Sequence, residues 1–161
     1  MTIEIEPIGY CVSPFETVEC VPIQPLAAQG IRGTLVVFDA YAEGLKDLDG
    51  FSHIIVLYQF HRVKTPALRV VPFMDTMEHG IFATRSPKRP NRIGLSTLKL
   101  LAVHGNEIEV EGVDLLNQTP IIDIKPYFPK FDTILDARGG WLDKQTISAF
   151  TELKSDARFC E

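Results

Sequence analysis

The residues densest in chemistry are Gly80-Ile81-Phe82-Ala83-Thr84-Arg85-Ser86-Pro87-Lys88-Arg89-Pro90-Asn91-Arg92-Ile93-Gly94-Leu95-Ser96, where four cations fall within eight positions. Pro87 and Pro90 restrict the backbone between two apolar runs, which argues against a disordered tail. Binding groups usually sit on loops held by a rigid scaffold, and clustered guanidinium groups suit an anionic ligand. A solvated charged loop would carry the same composition. Neither GxxxxGK[ST] nor GxGxxG is present, so a nucleoside triphosphate or a Rossmann cofactor is not indicated. A second cluster is Gly50-Phe51-Ser52-His53, then an apolar run ending at His61. Eight residues separate the two histidines along an extended chain, too far to share one metal ion, and no metal site is expected. A third cluster, Glu111-Gly112-Val113-Asp114 leading to Asp123, sets carboxylates beside a glycine. That pattern fits a ribose or cation contact, and equally a turn before a strand with Asp123 in an ion pair.

Elements must hold these groups, and short β-branched runs punctuated by Gly, Pro and Asn predict a mostly β chain. The expected strands are Ile3–Tyr10, Thr34–Phe38, His53–Phe60, Leu68–Pro72, Ile81–Thr84, Ser96–Val103, Glu107–Glu111 and Ile121–Lys125. His104-Gly105-Asn106 reads as a hairpin turn into the alternating Glu107–Glu111. Hairpin spacing of this kind favours an antiparallel barrel or sandwich. Helical signals are few. Tyr41–Leu48 predicts a short helix with Leu45 and Leu48 inward, and Asp143–Lys154 a C-terminal helix with Ile147, Phe150 and Leu153 on one stripe.

The 161 residues, 45% of them apolar, suffice for one domain with a real core and are too few for two ordinary ones. One domain over 1–161 is expected, with a barrel over about 3–132 and a helical tail over about 140–158. The formal charge of −5 argues against general adhesion to polyanions. It is unevenly spread. From His61 to Lys99 stand eight basic residues against two acids, a local +6 that leaves −11 for the remainder. No signal peptide or membrane span is read, so a cytoplasmic protein without a membrane partner is expected. Cys11, Cys20 and Cys160 show no metal-ligand spacing and read as reduced structural thiols.

The same clusters carry a resemblance. Gly50-Phe51-Ser52-His53, the run Gly80–Ser96 and Thr119-Pro120-Ile121-Ile122-Asp123-Ile124-Lys125-Pro126-Tyr127 are similar to the signature blocks of the TsaA-like (TrmO) methyltransferases. An earlier block, Ile8-Gly9 through Ser13-Pro14 to Pro22-Ile23-Gln24, matches as well. The resemblance implies a closed antiparallel β-barrel that binds S-adenosylmethionine, forms a homodimer, and methylates the exocyclic nitrogen of threonylcarbamoyladenosine at position 37, in the tRNA anticodon loop. It places Gln24, His61, Arg62, Arg85, Leu95, Glu111, Gly112, Val113 and Asp114 at the cofactor. The sequence departs from the family pattern at Val12, where arginine is usual, at Arg92, where proline is usual, and at Asn117-Gln118, which replaces Asp-Gly.

Methyl transfer from a sulfonium needs an in-line nucleophile in a site that excludes water. A nitrogen bonded to a purine and a carbamoyl carbon is a poor nucleophile, so its proton must be removed. His61 and Asp114 are the candidate bases, with Arg85 or Arg89 orienting the modification. Lys64, Lys88, Arg89, Asn91, Arg92 and Arg62 are candidate tRNA contacts. Two other readings stay open: a methyltransferase acting on a small molecule or another RNA, and a non-catalytic module that binds the cofactor or RNA.

Overall fold

The computed structural model describes residues 2–145. Eight strands run as β1 (Gly9–Val12), β2 (Arg32–Val37), β3 (His53–Gln59), β4 (Arg69–Val70), β5 (His79–Gly80), β6 (Ile93–His104), β7 (Glu107–Glu111) and β8 (Pro120–Pro126). Six of them close into an antiparallel barrel in the order β1-β2-β7-β6-β3-β8, with Gly9 opposite Ile121 completing the ring. Closure leaves no barrel edge for another strand to pair with.

Alternation decides which side chains fill the interior. Ile54, Val56 and Tyr58 of β3, Ser96, Leu98 and Leu100 of β6, and Ile108 and Val110 of β7 are buried, while most of their sequence neighbours are less so. Cys11 shares this core as a free thiol, and burial pushes its pKa up to about 12, which keeps it protonated and unreactive. The β6–β7 hairpin turns at Gly105, whose φ of +63° suits glycine. Between β3 and β6 the chain leaves the barrel, forms the small β4–β5 sheet around Val70 and Ile81, and returns. This excursion carries most of the cationic stretch.

Several expected boundaries move. Ile3–Ile8 is not strand: the ladder with β2 and β8 starts at Gly9, and of the residues before it Ile8 bonds to Ile121 and Phe38. Leu68–Pro72 shortens to β4. Ile81–Thr84 is not a strand: Ile81–Ala83 is a 3-10 turn, because the Thr84 N–H and hydroxyl both donate to the Ile81 carbonyl. Tyr41–Leu48 is likewise two 3-10 segments, Asp39–Leu45 and Leu48–Gly50, with Leu48 buried and Leu45 packed on the core as expected. A short helix at Pro129–Asp132 follows the barrel. Of the expected helix Asp143–Lys154, Asp143 and Lys144 belong to a 3-10 segment, Gly140–Lys144, which ends at an extended Gln145, and the rest lies outside the described residues. No helix among the described residues is long and apolar enough to cross a membrane.

Candidate functional site

A cavity of about 810 Å³ lies where one end of the barrel meets the β3–β6 excursion. Its walls come from five parts of the chain: the loop around Gln24, the ends of β3 and β6, the excursion, the turn at Asp114–Thr119, and Trp141-Leu142.

Asp114 is the one buried acid in that lining. Its Oδ1 accepts a hydrogen bond of 2.7 Å from the Ser96 hydroxyl, and Ser96 Oγ lies 3.2 Å from the Tyr58 hydroxyl. When Asp114 is ionised, the serine gives its one proton to the carboxylate and Tyr58 donates to Ser96. Register makes this chain possible. Tyr58 lies opposite Gly94, and a Cβ on Gly94 would collide with the tyrosine ring, so the missing side chain lets the phenol lie across β6 toward Ser96. Loss of solvent raises the Asp114 pKa to about 7, against the Ser96 hydrogen bond and the Arg85 charge, which pull it down. Tyr58 is pushed up, by burial first and the Asp114 charge second, and stays a donor.

Six residues expected at a cofactor line the cavity: Gln24, His61, Arg62, Arg85, Leu95 and Asp114. Gln24 and Arg85 also touch, with Arg85 Nη1 donating to Gln24 Oε1 at 3.0 Å across 61 residues of sequence. His61 has its pKa lowered by loss of solvent and then by the Arg62 charge, so its imidazole is neutral at pH 7. Glu111, Gly112 and Val113 stand off the cavity: Glu111 pairs with Lys99 at 3.6 Å, Gly112 turns the chain at φ +88°, and Val113 is fully buried in the barrel core.

Of the groups expected at substrate, Arg89 lines the cavity, but its Nη1 donates to the carbonyls of Thr84 at 2.8 Å and Ile81 at 3.2 Å. Arg92 similarly donates to the Val63 carbonyl at 2.8 Å and lies off the lining. These two arginines brace the loop. Lys64, Lys88 and Asn91 are outside the lining, with Lys64 and Asn91 exposed. His53 is set apart too, its Nδ1 3.0 Å from Ser52 Oγ and its ring edge-on to Tyr127. Asp123 forms an ion pair of 2.6 Å with Lys125. No group of three or more possible metal ligands occurs among the described residues.

Sequence reasoning missed Tyr58, Ser96 and Trp141. Inward alternation could have placed the first two in the barrel, whereas nothing local marks Trp141.

The fold and site define a closed β-barrel that scaffolds, at one end, a large cavity with an arginine-bearing mouth and a buried carboxyl poised to exchange a proton near neutrality. The chain belongs to the tRNA-methyltransferase O N-terminal domain family, whose model matches residues 10–133. It is 48% identical over 153 residues to a Pyrococcus abyssi protein named "Probable S-adenosyl-L-methionine-binding protein", covering 95% of this chain and 83% of that one. It is 36% identical over 135 residues to the human tRNA (adenine(37)-N6)-methyltransferase, covering 80% of this chain and 31% of the human protein. The crystal structure of TrmO from Pseudomonas aeruginosa superposes with a TM-score of 0.74 at 38% identity, covering 88% of this chain and 63% of that chain. The chain thus spans less than two thirds of that solved relative.

Proposed function

We propose that this chain is an S-adenosylmethionine-dependent methyltransferase acting on the exocyclic nitrogen of threonylcarbamoyladenosine at position 37 of tRNA. The observation that carries the reading is Asp114, a buried carboxyl with a pKa near 7 in the wall of a cavity of about 810 Å³. The cavity fits the cofactor: its volume is in the range of small-molecule sites, its walls are largely apolar, and the Gln24–Arg85 pair offers polar groups for the carboxylate end. When bound, S-adenosylmethionine supplies a methyl group on sulfur, and its transfer to nitrogen leaves a neutral thioether. Asp114 accepts the proton that the nitrogen loses, and the barrel wall around it excludes water. Arg85 has guanidinium donors besides the one on Gln24, and these orient the carbonyl or carboxylate of the modification. The anticodon loop is single-stranded, so the target base enters without breaking a duplex. Arg62, Lys64 and Lys88 contact its phosphates.

The reading includes a homodimer, supported by Phe131, Ile134 and Leu135, 82%, 70% and 96% exposed just beyond the barrel. The decisive assay incubates the protein with methyl-labelled S-adenosylmethionine and tRNA that either carries or lacks the threonylcarbamoyl group. Label on the modified tRNA alone is expected. Label on neither tRNA, or equally on both, would sink the assignment.

A further inference from the structure

Trp141 is the one tryptophan of the chain and lies beyond residues 10–133, the stretch the family model matches. It nevertheless lines the cavity, next to Leu142. Contacts with the β3–β6 excursion fix it there. The indole Nε1–H donates to the Ala83 carbonyl at 2.8 Å, bridging 58 residues of sequence. The indole ring stacks on the His79 imidazole with centroids 4.6 Å apart and planes 16° from parallel. His79 Nε2 lies 2.8 Å from Asp75 Oδ2, and Asp75 Oδ1 in turn accepts from the Thr76 and Met77 N–H groups at 2.7 and 3.2 Å. That clasp holds the Asp75 carboxyl below its usual range, with the His79 hydrogen bond the main cause.

Ordering a tryptophan costs side-chain entropy, and packing is the common return. Trp141 belongs to neither hydrophobic core. What its placement adds is one aromatic wall to a cavity that Phe73 and Phe82 also line. We propose that Trp141 is a ligand-binding residue, the wall against which a purine nucleoside packs, and that His79 and Asp75 are its positioning residues. The inference rests on the reading above, in which the cavity receives adenosine-bearing molecules. Two sources share that chemistry, the adenosine of the cofactor and the target nucleotide. Both offer a flat π-surface for which an indole is a favourable partner.

A single tryptophan makes intrinsic fluorescence a direct report on this wall. S-adenosylhomocysteine and an anticodon stem-loop RNA carrying the modified adenosine are each titrated into the full chain, with calorimetry in parallel. A saturable change in emission with S-adenosylhomocysteine assigns the wall to the cofactor. A change with the RNA alone assigns it to the target nucleotide, and either supports the proposal. Trp141→Ala then weakens that ligand about tenfold and Trp141→Phe less, on a barrel shown intact by circular dichroism. His79→Ala and Asp75→Asn shift the emission of the free protein to longer wavelength and weaken the same ligand, while His79→Phe, which keeps the stack, restores most of the affinity. Suppose calorimetry records binding while emission stays flat and Trp141→Ala binds both ligands like wild type: the inference is then overturned and the proposed function stands. Absence of heat with both ligands in the wild-type protein overturns both.

Discussion

Asp114 concentrates the opposing forces at this site. Burial favours its neutral form, while the Ser96 hydroxyl and the Arg85 charge favour the carboxylate, and the balance falls at about 7. If Asp114 accepts the substrate's proton, as proposed, single-turnover methyl transfer is expected to climb with pH and level off above about 7. Asp114→Asn removes that limb and lowers the plateau by ~10²-fold or more. Ser96→Ala, which deletes a donor to the carboxylate, moves the limb to higher pH, and Ser96→Thr moves it back. A wild-type profile in Ser96→Ala would refute the hydroxyl's role. Stability follows with a definite sign. The folded-state pKa lies above the unfolded one, so the folded protein holds a proton that the unfolded chain releases between about pH 4 and pH 7. Stability therefore falls as pH rises through that window, by up to about 4 kcal/mol from this group alone, and the fall is absent in Asp114→Asn. Denaturant unfolding at about pH 4 and pH 8, which span most of that window, measures it in both proteins.

At the scale of elements, both inner departures from the family pattern fall at left-handed backbone. Gln118 has φ +62° where the pattern has glycine, and Arg92 has φ +53° where it has proline. Glycine adopts positive φ without strain and proline cannot adopt it at all. Gln118→Gly is accordingly expected to raise stability by roughly 1 kcal/mol. Arg92→Pro is expected to cost about 3 kcal/mol, since it also removes the Arg92 N–H bond to the Arg89 carbonyl and the guanidinium bond to the Val63 carbonyl. Thermal unfolding of the two variants tests both signs; an Arg92→Pro protein as stable as wild type would refute the loop conformation. The neighbouring Asn117 has found its own use, accepting from the Ser13 N–H at 3.2 Å and donating to Glu16 at 2.8 Å.

For the whole molecule, the −5 total and the local +6 act together. A net-negative body weakens general attraction to polyanions, and the cationic stretch is the local exception. The structure divides that stretch by task. Arg89 and Arg92 spend donors on main-chain carbonyls, and Arg69 and Lys99 face Glu78 and Glu111 at 3.6 Å each. Lys64 and Lys88 enter no ion pair among the described residues, which leaves their charge free for the proposed phosphate contacts. Plotting log affinity for tRNA against log salt should therefore give a slope that Lys64→Gln and Lys88→Gln each reduce by about 0.7. Arg92→Gln should lower the melting temperature and leave the slope nearly unchanged. Equal slope changes for all three would refute this division.

The sequence by itself determined the strand-rich architecture, because a two-residue period of apolar side chains has one low-energy solution, a sheet with a buried face. Its glycines and prolines located the turns, and its ordered motif blocks carried the family. Tertiary structure decided the rest. Ile81–Thr84 has strand composition and became a 3-10 turn, because hydrogen bonds from Thr84, Arg89 and the distant Trp141 satisfy its carbonyls. Glu111 and Asp114 are three residues apart, yet one pairs with a surface lysine and the other faces the cavity from a buried position. Their sequence positions do not reveal that difference, since proton affinity depends on what surrounds a carboxyl in space. The basic stretch read as uniform charge until its geometry separated Arg89 and Arg92, which brace the loop, from Lys64 and Lys88, which enter no ion pair among the described residues.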